Sequence, residues 1–203
     1  MISEINELIE QAKKTTYGII GDNLLLIDLC LCGLLDRSIR LSLGFIQMVR
    51  ARNLTCSGAL VRLLIDNCLR LFAIYISDDE QKIAECIIKG ERISNLKDKN
   101  GKKLTDTYLK KQLGKYDEHI ESVYDRASGF IHFSSKAVFQ SIIECEEKGI
   151  KFQVGGDLSE DKNEPLLDCL FAFQYFYKFF LNLMNTAIDA KVCFDKDLEN
   201  QHV

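Results

Sequence analysis

Ala59-Leu-Val-Arg62-Leu-Leu-Ile-Asp66-Asn-Cys-Leu-Arg70-Leu-Phe-Ala-Ile-Tyr-Ile76 decides the fold class. The run is too long for a buried strand, and its charged residues recur every fourth position, which places Arg62, Asp66 and Arg70 in one stripe along a helix. Asn53 to Ser57 supplies a break and a cap, so this helix is expected from there to about Ser77. Charges on a nearly all-apolar helix should be partly buried, and buried charge persists only when paired and hydrogen-bonded. The stripe reads either as a structural ion network or as part of a functional site.

Helical signals continue on both sides. Residues 3 to about 20 form a first helix capped by Ser3, with Ile5, Leu8, Ile9 and Ala12 at helical spacing. Gly21-Asp22-Asn23 reads as a turn in which Asp22 or Asn23 caps a second helix, from about 24 to 52. Asp78-Asp79-Glu80 places acids in the first turn of a fourth. Helix resumes near Thr105 and runs, with a break around Gly114, to about Ser128, and Pro165 fits the first turn of a last helix ending near Ala190. Pro165 is the chain's single proline, so long helices are little interrupted.

Between these segments, Asn95 to Leu104 and Gly155 to Asn163 read as polar loops, and 192–203 as a polar tail. Ile142 and Ile143, then Glu146-Glu-Lys-Gly149, then Ile150, Phe152 and Val154 alternate around a turn, the pattern of a short β-hairpin near 141–154. The reading is thus one all-α domain over 1–203 with a small hairpin. A length of 203 residues, 47% apolar and 28% charged, suits one folded core.

Composition also narrows location and chemistry. The acidic, amphipathic start lacks an export signal, and the apolar run from Leu24 to Leu35 carries Asp28 and falls short of the roughly 20 residues needed to span a bilayer. A soluble, cytoplasmic chain without membrane association is expected. Eight cysteines without a Cys-x-x-Cys pair then act as small hydrophobes, and neither a metal site nor a cofactor is expected. The net charge of −4 argues against nucleic-acid binding by bulk positive charge, so local patches matter.

Two such patches stand out. Residues 97 to 115 hold seven lysines (97, 99, 102, 103, 110, 111 and 115) against Asp98 and Asp106. They form either a solvated loop or a phosphate-attracting rim, with Lys99, Lys102, Lys103, Lys110 and Lys111 as candidates to contact RNA. The final helix carries Phe171, Phe173, Tyr175, Phe176, Tyr177, Phe179 and Phe180, too many aromatics for one narrow stripe; core plus a dimer interface accounts for them.

The remaining polar string is Tyr124-Asp-Arg126-Ala-Ser-Gly-Phe-Ile-His132. On a regular helix six residues turn the side-chain direction by about 600°, leaving Arg126 and His132 about 120° apart. They could face one phosphate only across an irregularity, which Gly129 could supply in a left-handed conformation, with Ser134 or Ser135 capping a new turn.

Arg126, five intervening residues and His132, late in an all-helical chain, resemble the Arg-x(four to six)-His motif of the HEPN superfamily. The fuller string through Ser134, together with Ala59 to Asp66, resembles HEPN-like bacterial proteins of unassigned function. The resemblance implies an up-and-down helical bundle that forms a homodimer and brings two Arg/His pairs into one cleft. It also implies a metal-independent endoribonuclease of toxin or phage-defence type, with RNA as substrate and an antitoxin or other protein as partner. His132 would move protons at the 2′- or 5′-oxygen and Arg126 would stabilise the phosphorane charge, roles that suit a neutral-pH base and a guanidinium fork. Tyr124, Ser128, Ser134, Arg62, Asp66 and Arg70 would support them. The residue after the arginine, usually polar in active members, is Ala127 here, so a non-catalytic dimerisation or binding module with a regulatory role stands as the alternative.

Overall fold

The computed structural model describes all residues except 22, 133–134, 136–137, 139–140, 147–148, 153, 156–162 and 202–203, and the side chains of 143, 144, 146 and 194–201. Seven α-helices are described: α1 (Ile2–Ile20), α2 (Leu26–Arg50), α3 (Leu54–Ile76), α4 (Glu80–Ile88), α5 (Asp106–Leu113), α6 (His119–Ile131) and α7 (Glu164–Gln201). A two-stranded antiparallel hairpin, β1 (Ile142–Glu146) with β2 (Gly149–Phe152), lies where the alternation predicted it, with a bulge between Ile142 and Glu144.

The central element is α3, which packs on α2, α5, α6 and α7. Its residues are apolar on nearly every side, so burial is most complete there: Leu64, Ile65, Cys68, Leu69, Leu71 and Ala73 are wholly enclosed. Helix direction follows from which side chains meet. Tyr75 donates to the Leu183 carbonyl at 2.5 Å and the Cys68 thiol lies 3.7 Å from the Phe176 carbonyl, so α3 and α7 run parallel. Arg37 bonds Asn67, and Gly44 faces Leu60, so α2 runs against α3. Arg62 reaches Ser128 and Gly58 faces Phe130, so α6 does too. These directions make an up-and-down bundle, with Phe45 of α2 stacked on Phe173 of α7 at 3.9 Å in its core.

Several boundaries differ from expectation. Ser3 lies inside α1, whose cap position is Met1. Asp22 lies outside the described residues, and α2 begins later, at Leu26. Its first turn is closed from within by the Asp28 carboxylate, which accepts the Leu25 N–H at 2.7 Å. Asn53 and Asp79 cap α3 and α4 as their types dictate. The expected tail is helical: α7 continues to Gln201, because no glycine or proline stops it and Lys191 is buried against Asn23 and Asp28. The 155–163 loop lies mostly outside the described residues.

Asn95 to Leu104 is not a simple solvated loop. A 3-10 turn (Ile93–Asn95) leads into a tight turn in which Lys97 pairs with Lys103 and Asp98 with Ser77. Gly101 has φ 75°, the left-handed geometry glycine tolerates, and Leu104 is fully buried.

All eight cysteines are free, and burial pushes the thiol pKa of Cys68 well up and that of Cys169 to about 11. No described helix is long and apolar enough to cross a membrane.

Candidate functional site

α6 carries the polar string, and its three faces do different things. The face toward α3 and α5 closes the predicted stripe. Arg62 and Arg70 both approach Asp66 Oδ1, at 3.5 and 3.3 Å, and Arg70 also reaches Asp106 of α5 at 2.5 Å. The Arg62 guanidinium lies over the Tyr124 ring, 3.6 Å from its centroid, and bonds the Tyr124 hydroxyl and Ser128 Oγ, the latter at 3.2 Å. Lys110 completes this face, ion-paired to Asp125 at 2.8 Å. Five of the residues singled out from sequence, Arg62, Asp66, Arg70, Tyr124 and Ser128, therefore converge. Three cations meet three carboxylates there, so the cluster is balanced internally and ties three helices together.

Arg126 faces elsewhere. It is largely exposed and points toward α7, where Asp168 lies 3.9 Å away. One helical stretch back on the same side, His119 meets the Tyr175 ring edge-on at 5.9 Å. These two contacts set α6 and α7 antiparallel, bridged by long side chains. Asp117 anchors the seam by accepting the His119 N–H at 2.9 Å and the Tyr175 hydroxyl at 2.6 Å; its carboxylate pushes the Tyr175 phenol pKa up to about 12.

The expected irregularity at Gly129 does not occur. The helix continues through it to Ile131, Gly129 is not in the left-handed region, and the His132 N–H donates to the Ser128 carbonyl at 3.1 Å. His132 is the first residue past the helix, with φ −98° and ψ 142°, and its side chain is exposed rather than held in the core. The helix is secured by Phe130, whose ring lies where a Cβ on Gly58 would stand, 2.3 Å away. An unbroken helix leaves Arg126 and His132 separated by about 9 Å of rise and about 120° of rotation. The structure thus does not bring this pair together within one chain. Ala127 faces inward and is buried, so a polar residue at that position would enter the core. Ser134 lies outside the described residues.

Of the lysine candidates, Lys110 is committed to Asp125, whereas Lys99, Lys102, Lys103 and Lys111 are exposed. Asp98 sits beneath the turn as its organising group, accepting the Lys102 N–H at 2.7 Å, the Asn100 N–H at 3.0 Å and the Tyr108 hydroxyl at 2.5 Å. Burial works to raise the Asp98 pKa, but these hydrogen bonds outweigh it and hold it below the ordinary carboxylate value. A depressed folded-state pKa stabilises above the unfolded value, about 3.9, and that contribution is lost as pH falls through the folded one. The stability gap between wild type and Asp98→Asn is accordingly expected to be constant from neutral pH to about pH 5 and to shrink below about pH 4, as urea titrations at each pH would show. A constant gap down to pH 2.5 would contradict it.

Sequence reasoning missed His119, Asp117, Tyr175, Asp168, Asp106 and Asp125. Asp125 stands inside the string already singled out, and Asp117 and His119 lie at or just before the start of the same helix; Asp106, Asp168 and Tyr175 are joined to it only by packing. Among the described residues no group of three or more His, Cys, Asp or Glu side chains is arranged to hold a metal ion. The chain matches no protein-family model, no curated protein and no solved structure.

Proposed function

We propose that the chain is a non-catalytic HEPN-like helical module that acts by binding or dimerising, rather than a self-contained ribonuclease. The continuity of α6 through Gly129 carries this reading, because it sends Arg126 toward Asp168 and leaves His132 on another side of the helix. Acid–base chemistry on a phosphodiester needs the proton-moving group and the charge-stabilising group within hydrogen-bond reach of one phosphate. The inward Ala127 supports the same conclusion. The up-and-down bundle supports the HEPN-like part of the reading, on which fold analogy alone bears.

A second reading has one observation in its favour: Arg126 and His132 are both exposed, so Arg126 of one copy and His132 of another could share a cleft. Incubating varied RNAs with wild type and His132→Ala in EDTA separates the two. The module reading expects no cleavage by either protein. Metal-independent cleavage that leaves 2′,3′-cyclic phosphate ends and disappears in His132→Ala would replace it with the nuclease reading.

A further inference from the structure

The lysine-rich turn has a charge arrangement that the sequence count conceals. The one acid within the turn, Asp98, is buried beneath it, and the nearest acid after it in sequence, Asp106, is half exposed but ion-paired to Arg70. Lys97, Lys99, Lys102 and Lys103 all point into solvent and, among the described residues, form no ion pair. Four cations thus project from seven consecutive residues with no exposed acid among them.

The backbone beneath them is fixed. Asp98 N–H donates to the Lys102 carbonyl at 2.8 Å, Gly101 N–H to the Asp98 carbonyl at 2.9 Å, Leu104 N–H to the Leu96 carbonyl at 3.0 Å, and Lys99 N–H to the Ile76 carbonyl of α3 at 3.2 Å. A solvated loop would lose backbone entropy when it docked on a ligand; this turn is already ordered, so its cost of binding is lower.

From this geometry we infer that the turn at 97–103 docks on the phosphate backbone of a nucleic-acid duplex, a function beyond the module reading and independent of the Arg126/His132 pair. Lysine acts as a point charge toward phosphate rather than as a planar fork for bases. The turn itself, 97–103, carries no aromatic side chain, so the stacking platform used for single strands is missing from it. The partner is therefore read by backbone charge and not by sequence. Because the whole chain is net negative, −4, attachment is confined to this one end of α5 and is sensitive to salt.

The test is fluorescence anisotropy with labelled mixed-sequence duplexes of RNA and of DNA at about 50 to 200 mM salt, using wild type, Lys97/Lys99/Lys102/Lys103→Ala, and a charge-matched control, Lys13/Lys14/Lys82/Lys89→Ala. All the substituted side chains are exposed, and circular dichroism checks that each variant is folded. Wild type should bind both duplexes, with log affinity falling against log salt at a slope of about −3 to −4 on DNA, as four phosphate contacts require. The turn variant should lose at least about tenfold in affinity and most of the slope, while the control keeps both. The inference is overturned if wild type binds neither duplex at the lowest salt, if only one duplex binds, or if both variants weaken binding equally. It is also overturned if a poly-glutamate peptide binds more tightly than the duplexes, which would assign the turn to an acidic protein partner. RNA cleavage plays no part in this readout, so its failure and that of the module reading are separate results.

Discussion

Lys191→Ala is expected to destabilise the chain by about 3–5 kcal/mol, the cost of leaving one member of a buried ion pair alone. Lys191 Nζ lies 3.0 Å from Asp28 Oδ2 and also donates to the Asn23 carbonyl; the two side chains are only 6% and 2% exposed. Truncating the lysine strands a carboxylate whose remaining bond is to the Leu25 N–H, at the first turn of α2. The charge, and not the lost packing, is the main term. Asp28→Leu combined with Lys191→Met should therefore recover most of the loss, short of about 1 kcal/mol for the missing cap. Urea denaturation of the two single variants and the double variant measures this directly. A Lys191→Ala loss under 1 kcal/mol, or single losses that simply add in the double variant, would show that the pair is not coupled as described.

That ion pair also illustrates which parts of the molecule can be read from sequence. Asp28 was visible as a charge inside an apolar run, and its position three residues past Leu25 is the inner half of a capping box, yet nothing local joined it to a lysine beyond the expected end of the last helix. The same limit separates successes from failures elsewhere. Arg62, Asp66 and Arg70 share one helix, so periodicity alone aligned them. Tyr124 and Ser128 are also four apart, but only the packing of α6 on α3 brings the two stripes face to face. Gly129 misled because a glycine signals conformational freedom at roughly 1 kcal/mol, a preference that tertiary contacts override. Here the seating of Phe130 against Gly58 and the bond from His132 to Ser128 hold the helix through it. Asp98 was counted as one of two acids diluting a basic loop, whereas burial made it the turn's organising group.

Arg62→Ala should cost about 2–3 kcal/mol and loosen the polar string itself. Arg62 is 12% exposed and links the helix that faces it to its own, through Tyr124 and Ser128 on α6 and Asp66 on α3. Removing it takes away the nearer of two cations over the Tyr124 ring, worth about 1–2 kcal/mol when desolvated, and a charged donor to Ser128, while Lys110 stays 5.1 Å from the ring centroid. Asp66 keeps Arg70, which is why the loss should fall below that at Lys191. Arg62→Lys keeps the charge but cannot span Asp66, Tyr124 and Ser128 at once, so it should recover less than half of the deficit. Hydrogen exchange locates the effect: protection should fall along α6 from Tyr124 to His132 before it falls along α3, since α3 is packed on nearly every side and α6 is held on this face chiefly by Arg62 and the Lys110–Asp125 pair. Uniform loss of protection in both helices would mean that Arg62 supports the core as a whole. If protection instead stays unchanged in both, α6 is held by its other contacts, among them Phe130, Ala127 and the Lys110–Asp125 pair, and the charged stripe on α3 has some role other than fixing the helix that carries Arg126.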